Sequence, residues 1–96
     1  MSRIKFNQLA DDVASAFGTD REMLFKRSKK PRITQPRHLL WLLASRHNIR
    51  PCHTVGYTEE NGLTVSPSTI IRGIDRAEEL IRFDKELNQI VKQLSK

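Results

Sequence analysis

The sequence predicts an all-α fold, a small bundle of five or six helices, and three observations carry that prediction. Apolar residues recur at helical spacing in Phe6, Leu9, Ala10, Val13, Ala14 and Phe17, in Ile70, Ile74, Ala77 and Ile81, and in Leu87, Ile90, Val91 and Leu94. Start and stop signals bracket these stretches: Gly18 behind the first, Ser66-Pro67 ahead of the second, Asp84 ahead of the third. The chain has 96 residues, 38% hydrophobic and 29% charged, which are globular values and allow one domain with one core.

Taken in order, the first helix runs from about Phe6 to Phe17, and Gly18 sits where a C′ glycine ends it. Thr19-Asp20-Arg21-Glu22 then reads as a capping box opening a short second helix that carries Met23, Leu24 and Phe25. Lys26 to Gln35 holds five basic residues and Pro31, which reads as an exposed basic loop. Pro36 is expected to start the central helix. Its Leu39, Leu40, Trp41, Leu42, Leu43 and Ala44 are apolar nearly all round, as befits an enclosed helix that fades by His47 or Asn48. Residues 49–65 support two readings. Pro51 and Asn61-Gly62 bracket a helix through Cys52 to Glu60, while Thr54-Val55-Gly56-Tyr57-Thr58 and Leu63-Thr64-Val65 around Asn61-Gly62 resemble a β-hairpin. Ser66 as N-cap and Pro67 at the first helical position open a further helix, and Asp84 caps the last one.

The charge distribution is uneven. Net charge is +6 and the isoelectric point is near 10.0. From Met23 to Thr58 there is no Asp or Glu, while Lys26, Arg27, Lys29, Lys30, Arg32, Arg37, Arg46 and Arg50 supply eight positive charges. The flanks are each close to neutral, so the excess sits in the middle and points to a polyanionic partner, nucleic acid above all. One cysteine excludes an internal disulfide. Neither a signal peptide nor a membrane-length apolar run is present, so a cytoplasmic, non-membrane protein is expected.

The residues Ser68-Thr69-Ile70 at the start of a helix resemble the end of the Asp-His-(Ser or Thr)-Thr-(Val or Ile) signature of the C-terminal DNA-binding domain of the DnaA replication-initiator family. There the motif opens the recognition helix of a helix-turn-helix of the Trp-repressor type. The resemblance extends over nearly the whole chain. Val13-Ala14-Ser15-Ala16-Phe17-Gly18 is similar to the family's first helix ending in aromatic-Gly, Glu22-Met23-Leu24 to its short second helix, and the basic stretch to its basic loop. Pro36-Arg37-His38 followed by an apolar run is similar to its Pro-Arg-Gln helix. A helix-turn-helix requires a helix between Pro51 and Glu60, which favours that reading over the hairpin. Two departures stand out. About three extra residues separate Val55-Gly56 from the recognition helix, so the turn is longer. Ser66 and Pro67 replace the acidic residue and histidine that read bases in the family, so the family's usual target sequence is not expected.

The implied function is sequence-specific binding of double-stranded DNA, in replication initiation or its control or in transcription regulation, in a bacterial or phage-infected cytoplasm. Lys29, Lys30 and Arg32 would neutralise phosphates or enter a minor groove, as the family loop does; Arg37 matches the family's phosphate-contacting arginine, and Arg50 opens the first helix of the helix-turn-helix. Ser66, Ser68 and Thr69 stand at the start of the recognition helix and Arg72 one turn on, where base edges are met. No G-x-x-x-x-G-K-(S/T) phosphate loop occurs, so no nucleotide and no cofactor is expected, and the chain reads as a stand-alone binding module rather than an enzyme. Cys52-His53 with His38 and His47 is a weak metal or nucleophile signal, since no CxxC accompanies it. The alternative is an adaptor that recruits a protein partner through the last helix, with Leu87, Ile90, Val91 and Leu94 exposed. Single-strand binding is disfavoured, because the six aromatics lie mostly at core spacing.

Overall fold

The computed structural model describes residues 2–95, and among them only helices and connections occur. In chain order they are α1 (Ser2–Ala16), α2 (Arg21–Leu24), α3 (Pro31–Arg46), α4 (Pro51–Glu60), α5 (Pro67–Phe83) and α6 (Lys85–Leu94). The helical reading of residues 51–60 therefore holds, and there is no hairpin. α4, the connection from Asn61 to Ser66 and α5 follow as helix, turn and helix.

Helix ends are built by the chain's own punctuation. α1 starts at Ser2 rather than near Phe6, because nothing between Arg3 and Lys5 opposes a helix, and Arg3 is tied to Glu60 at the end of α4 by Nε and Nη2 at 3.0 and 3.1 Å. α4 ends with Gly62 at φ +106° and the Leu63 N–H donating back to the Thr58 carbonyl at 3.2 Å, which closes the helix and turns buried Leu63 into the core. Asn48, at φ +64°, does the same for α3, with Ile49 N–H on Ala44 O. The capping residue of α2 is Asp20, not Thr19: Asp20 Oδ1 accepts from Met23 N–H at 3.2 Å, whereas the Thr19 N–H is spent on the Ala14 carbonyl that ends α1. A carboxylate at that position also complements the helix dipole. Ser66 and Asp84 cap α5 and α6 as the sequence indicates.

One boundary differs from expectation. α3 begins at Pro31, so Pro36 lies inside the helix and does not open it. An internal proline removes one ladder bond and ordinarily costs about 3 kcal/mol. Here Ile33 and Pro36 are buried beside Phe17, Met23 and Leu24, and that burial carries the helix through the proline. The basic loop shrinks accordingly to residues 25–30, and Arg32 becomes a helical residue.

α3 is the central helix, with Leu39, Leu40, Leu43 and Ala44 fully buried and packed among Phe6, Leu9, Val13, Ile70 and Val91. Trp41 joins three helices. Its indole N–H donates to Thr58 Oγ1 of α4 at 3.2 Å, and its ring meets α5 at Gly73, where a Cβ would stand 2.4 and 2.7 Å from two ring carbons and 2.9 Å from His38 Cδ2. Only glycine permits that approach. α6 closes the bundle with Val91 buried, Leu87 and Leu94 packed on the core, and the Leu94 carbonyl 3.1 Å from His47 Nε2. Leu87, Val91 and Leu94 are thus turned inward, whereas the adaptor alternative requires them exposed.

Two glycine substitutions should have opposite signs. Gly73→Ala adds a methyl into the Trp41 ring, an overpacking cost of about 1–3 kcal/mol that outweighs the helix-propensity gain of about 0.8–1 kcal/mol. Gly56 sits in α4 with nothing within 4 Å of its virtual Cβ, so Gly56→Ala receives that gain unopposed. Thermal unfolding checks both: a lower Tm for the first variant and a higher one for the second.

Candidate nucleic-acid interface

The loop after α2, the first half of α3 and the turn into α5 enclose a groove of about 550 Å³. Its walls carry Arg27, Lys29, Arg37 and His38, with hydroxyls from Ser28, Thr34, Thr64 and Thr69, and no carboxylate. Trp41 lies at its base, the same residue that fixes α5 through Gly73. The basic segment and the start of α5, remote in sequence, are therefore two sides of one cleft.

At the first turn of α5, Ser66 Oγ accepts from Thr69 N–H at 3.3 Å and lies 3.0 Å from both Ser68 Oγ and Thr69 Oγ1. Ser66 is thereby engaged as the cap. Ser68 stands exposed, Thr69 forms part of the groove wall, and Arg72 is exposed one turn on. Farther along α5 acids slightly outnumber bases, with Asp75, Glu78 and Glu79 against Arg76 and Arg82. Asp75, Glu78 and Glu79 are exposed around a separate hollow with Arg82 and Phe83, without an ion-pair partner among the described residues.

The expected site residues divide into those the fold brings together and those it does not. Lys29 and Thr69 share the groove. Lys30 is exposed as the N-cap of α3, and Arg50 is exposed as the N-cap of α4; neither lines the groove. Arg32 faces a different depression, between α1, α2 and α3, lined by Phe17, Met23 and Ile33. Its move follows from the earlier start of α3. Arg37 departs most from expectation: it is 5% exposed, with Nη1 donating to Lys26 O and Nη2 to Ser28 O, each at 3.1 Å, and its guanidinium carbon 6.0 Å from the Trp41 ring centre. An arginine near a helix start reads as surface charge from sequence, because nothing local announces the two carbonyls it binds. Burial lowers its pKa from the ordinary arginine value.

Sequence reasoning missed Arg27 and His38 as groove residues. Arg27 was visible as part of the basic run; His38 had no signal beyond adjacency to Arg37. Burial first, then the Arg37 and Arg76 charges, push the His38 pKa down to about 4. Among the described residues no group of three or more His, Cys, Asp or Glu is placed to hold a metal ion, and no helix is long and apolar enough to cross a membrane. Comparison with known proteins finds no matching family model, curated protein or solved structure.

His38 predicts a pH dependence of stability. Its folded pKa lies below the ordinary 6.5, so the unfolded chain binds the proton first as pH falls. The contribution is fully present above about pH 6.5 and is lost progressively as pH drops toward 4. Chemical denaturation at pH 7.5 and 5 should show a smaller loss for His38→Gln than for the parent.

Proposed function

We propose that the chain is a double-stranded-DNA-binding domain of the DnaA C-terminal type, with α5 as recognition helix and the loop at residues 25–30 on the adjacent backbone or minor groove. The observation that carries this reading is the groove itself: cations on the loop and α3 walls, hydroxyls on all three, no carboxylate, continuous with the exposed start of α5. Phosphate oxygens are acceptors that such a wall satisfies, and the N-terminal end of a recognition helix is where base edges are met. The acidic second half of α5 adds direction. Asp75, Glu78 and Glu79 outnumber Arg76 and Arg82 there, which favours contact through the half bearing Ser68, Thr69 and Arg72. The helix–turn–helix order of α4 and α5 agrees with the resemblance carried by Ser68-Thr69-Ile70 and Pro36-Arg37-His38. Since Ser66 is occupied as a cap and Pro67 has no side-chain hydrogen-bonding group, base reading falls to Ser68, Thr69 and Arg72. The role belongs to replication initiation or its control, or to transcription regulation, in a bacterial or phage-infected cytoplasm.

Duplex affinity should fall with salt, with log K declining by about 0.9 per phosphate neutralised. The double variant Arg27→Ala, Lys29→Ala should flatten that slope, and Arg32→Ala, which faces another depression, should change it less. Equal slopes in parent and double variant would remove the groove from the interface.

Arg72→Ala should lose about 1–3 kcal/mol on duplexes selected from a random pool and much less on unrelated duplex. Equal losses on both, with circular dichroism unchanged, would make Arg72 a phosphate contact and place base reading elsewhere.

A further inference from the structure

The segment between α2 and α3 has almost no hydrogen bonds of its own to hold it. Backbone pairing stops with Lys26 N–H on Met23 O at 3.4 Å and resumes with Ile33 N–H on Lys30 O. Between these, Lys30 N–H bonds only locally, to Ser28 Oγ at 3.1 Å. A chain of five residues bearing Lys26, Arg27, Lys29 and Lys30 repels itself and has no reason to stay folded against the body. What reaches it is Arg37, whose two terminal nitrogens take the carbonyls of Lys26 and Ser28 from positions 11 and 9 residues away in sequence. Arg27 and Lys29 alternate with those two residues and line the groove.

We infer that Arg37 is a positioning residue: a buried guanidinium latch that bridges the Lys26 and Ser28 carbonyls, holds the basic loop in its groove conformation, and acts on a bound polyanion through Arg27 and Lys29 rather than by touching it. The fork suits the task. Two parallel donors on a planar group span two carbonyls of one strand, which a single ammonium cannot do. The guanidinium carbon lies 6.0 Å from the centre of the Trp41 ring, so the loop is linked to the same side chain that seats α5. The latch also gives a role to a buried cation that faces no carboxylate among the described residues: neutral carbonyls take one donor from each terminal nitrogen while its charge remains within the groove wall. A loop ordered beforehand binds without the ordering cost that a free loop meets on association.

The effect on affinity rests on the reading of the groove as the duplex interface; the latch itself does not, and the test separates them. Arg37→Lys keeps the stem and the charge but not the fork. In this variant, amide hydrogen exchange at Arg27 to Lys30 should accelerate while the α3 core amides keep their protection. Binding to selected and unrelated duplexes should weaken alike by about tenfold or more, with the salt slope retained, because the phosphates neutralised at the end are the same. In the unaltered protein, the Arg37 Nη resonances should be separately resolved by slow rotation and should persist when duplex is added. Unchanged loop exchange in Arg37→Lys would overturn the latch, and in Arg37→Gln, which also removes the charge, a slope reduced by about 0.9 with unchanged loop exchange would make Arg37 a direct phosphate contact. Rapidly rotating Arg37 Nη groups in the free protein would overturn it without any variant. If the unaltered chain binds no duplex, the interface reading fails, and loop exchange with the Nη resonances still decides the latch.

Discussion

The contact on which the rest of the structure depends is that of Gly73 with Trp41. Because α5 carries no Cβ at this point, its backbone settles directly on the indole ring of α3, and the indole N–H is satisfied by Thr58 of α4. Three helices are thereby held by one side chain that is 2% exposed. A buried indole without a partner for its N–H would be costly, so the threonine on α4 is part of the same constraint. The placement of α5 relative to α3 is in turn what makes a groove possible, since one wall belongs to each.

The loop wall depends on the same residue by a second route. Trp41 underlies Arg37, Arg37 holds the Lys26 and Ser28 carbonyls, and the alternate residues Arg27 and Lys29 line the groove. Packing, hydrogen bonding and charge are arranged in series: an apolar ring fixes a buried cation, the cation fixes a loop, and the loop presents more cations. Charge concentrated in this way is held at one place by neutral groups, because no carboxylate lines the groove to cancel it. Beyond Arg72, α5 carries Asp75, Glu78 and Glu79 against Arg76 and Arg82, so its net charge there is slightly negative.

Much of the fold was legible in the sequence, because helix ends are local chemistry. Ser66, Pro67, Asp84, Gly18 and Asn61-Gly62 announced boundaries that depend on a few adjacent residues. α4 was ambiguous for a physical reason: Thr54, Val55, Tyr57 and Thr58 favour strands by propensity, and they form a helix because Thr54 and Thr58 are buried against the bundle and Thr58 receives the indole. Pro36 misled for the converse reason, a local helix breaker overridden by burial beside Phe17 and Leu24. At the candidate site, the exposed residues Ser68 and Arg72 and the groove residues Lys29 and Thr69 were accessible to reading from pattern. Arg37, Arg32 and His38 were not, since their surroundings are set by residues far away in sequence or by where α3 begins.

The central claim is that this preformed groove and the exposed start of α5 together form the surface that meets duplex DNA. Amide chemical-shift mapping during titration with a short duplex tests it most directly. The account predicts that the largest perturbations fall on residues 26–30, 63–69 and Arg72, and that α1, α6 and the acidic half of α5 stay nearly unchanged. Perturbations centred on α1 or α6, or no saturable perturbation at low salt, would contradict it.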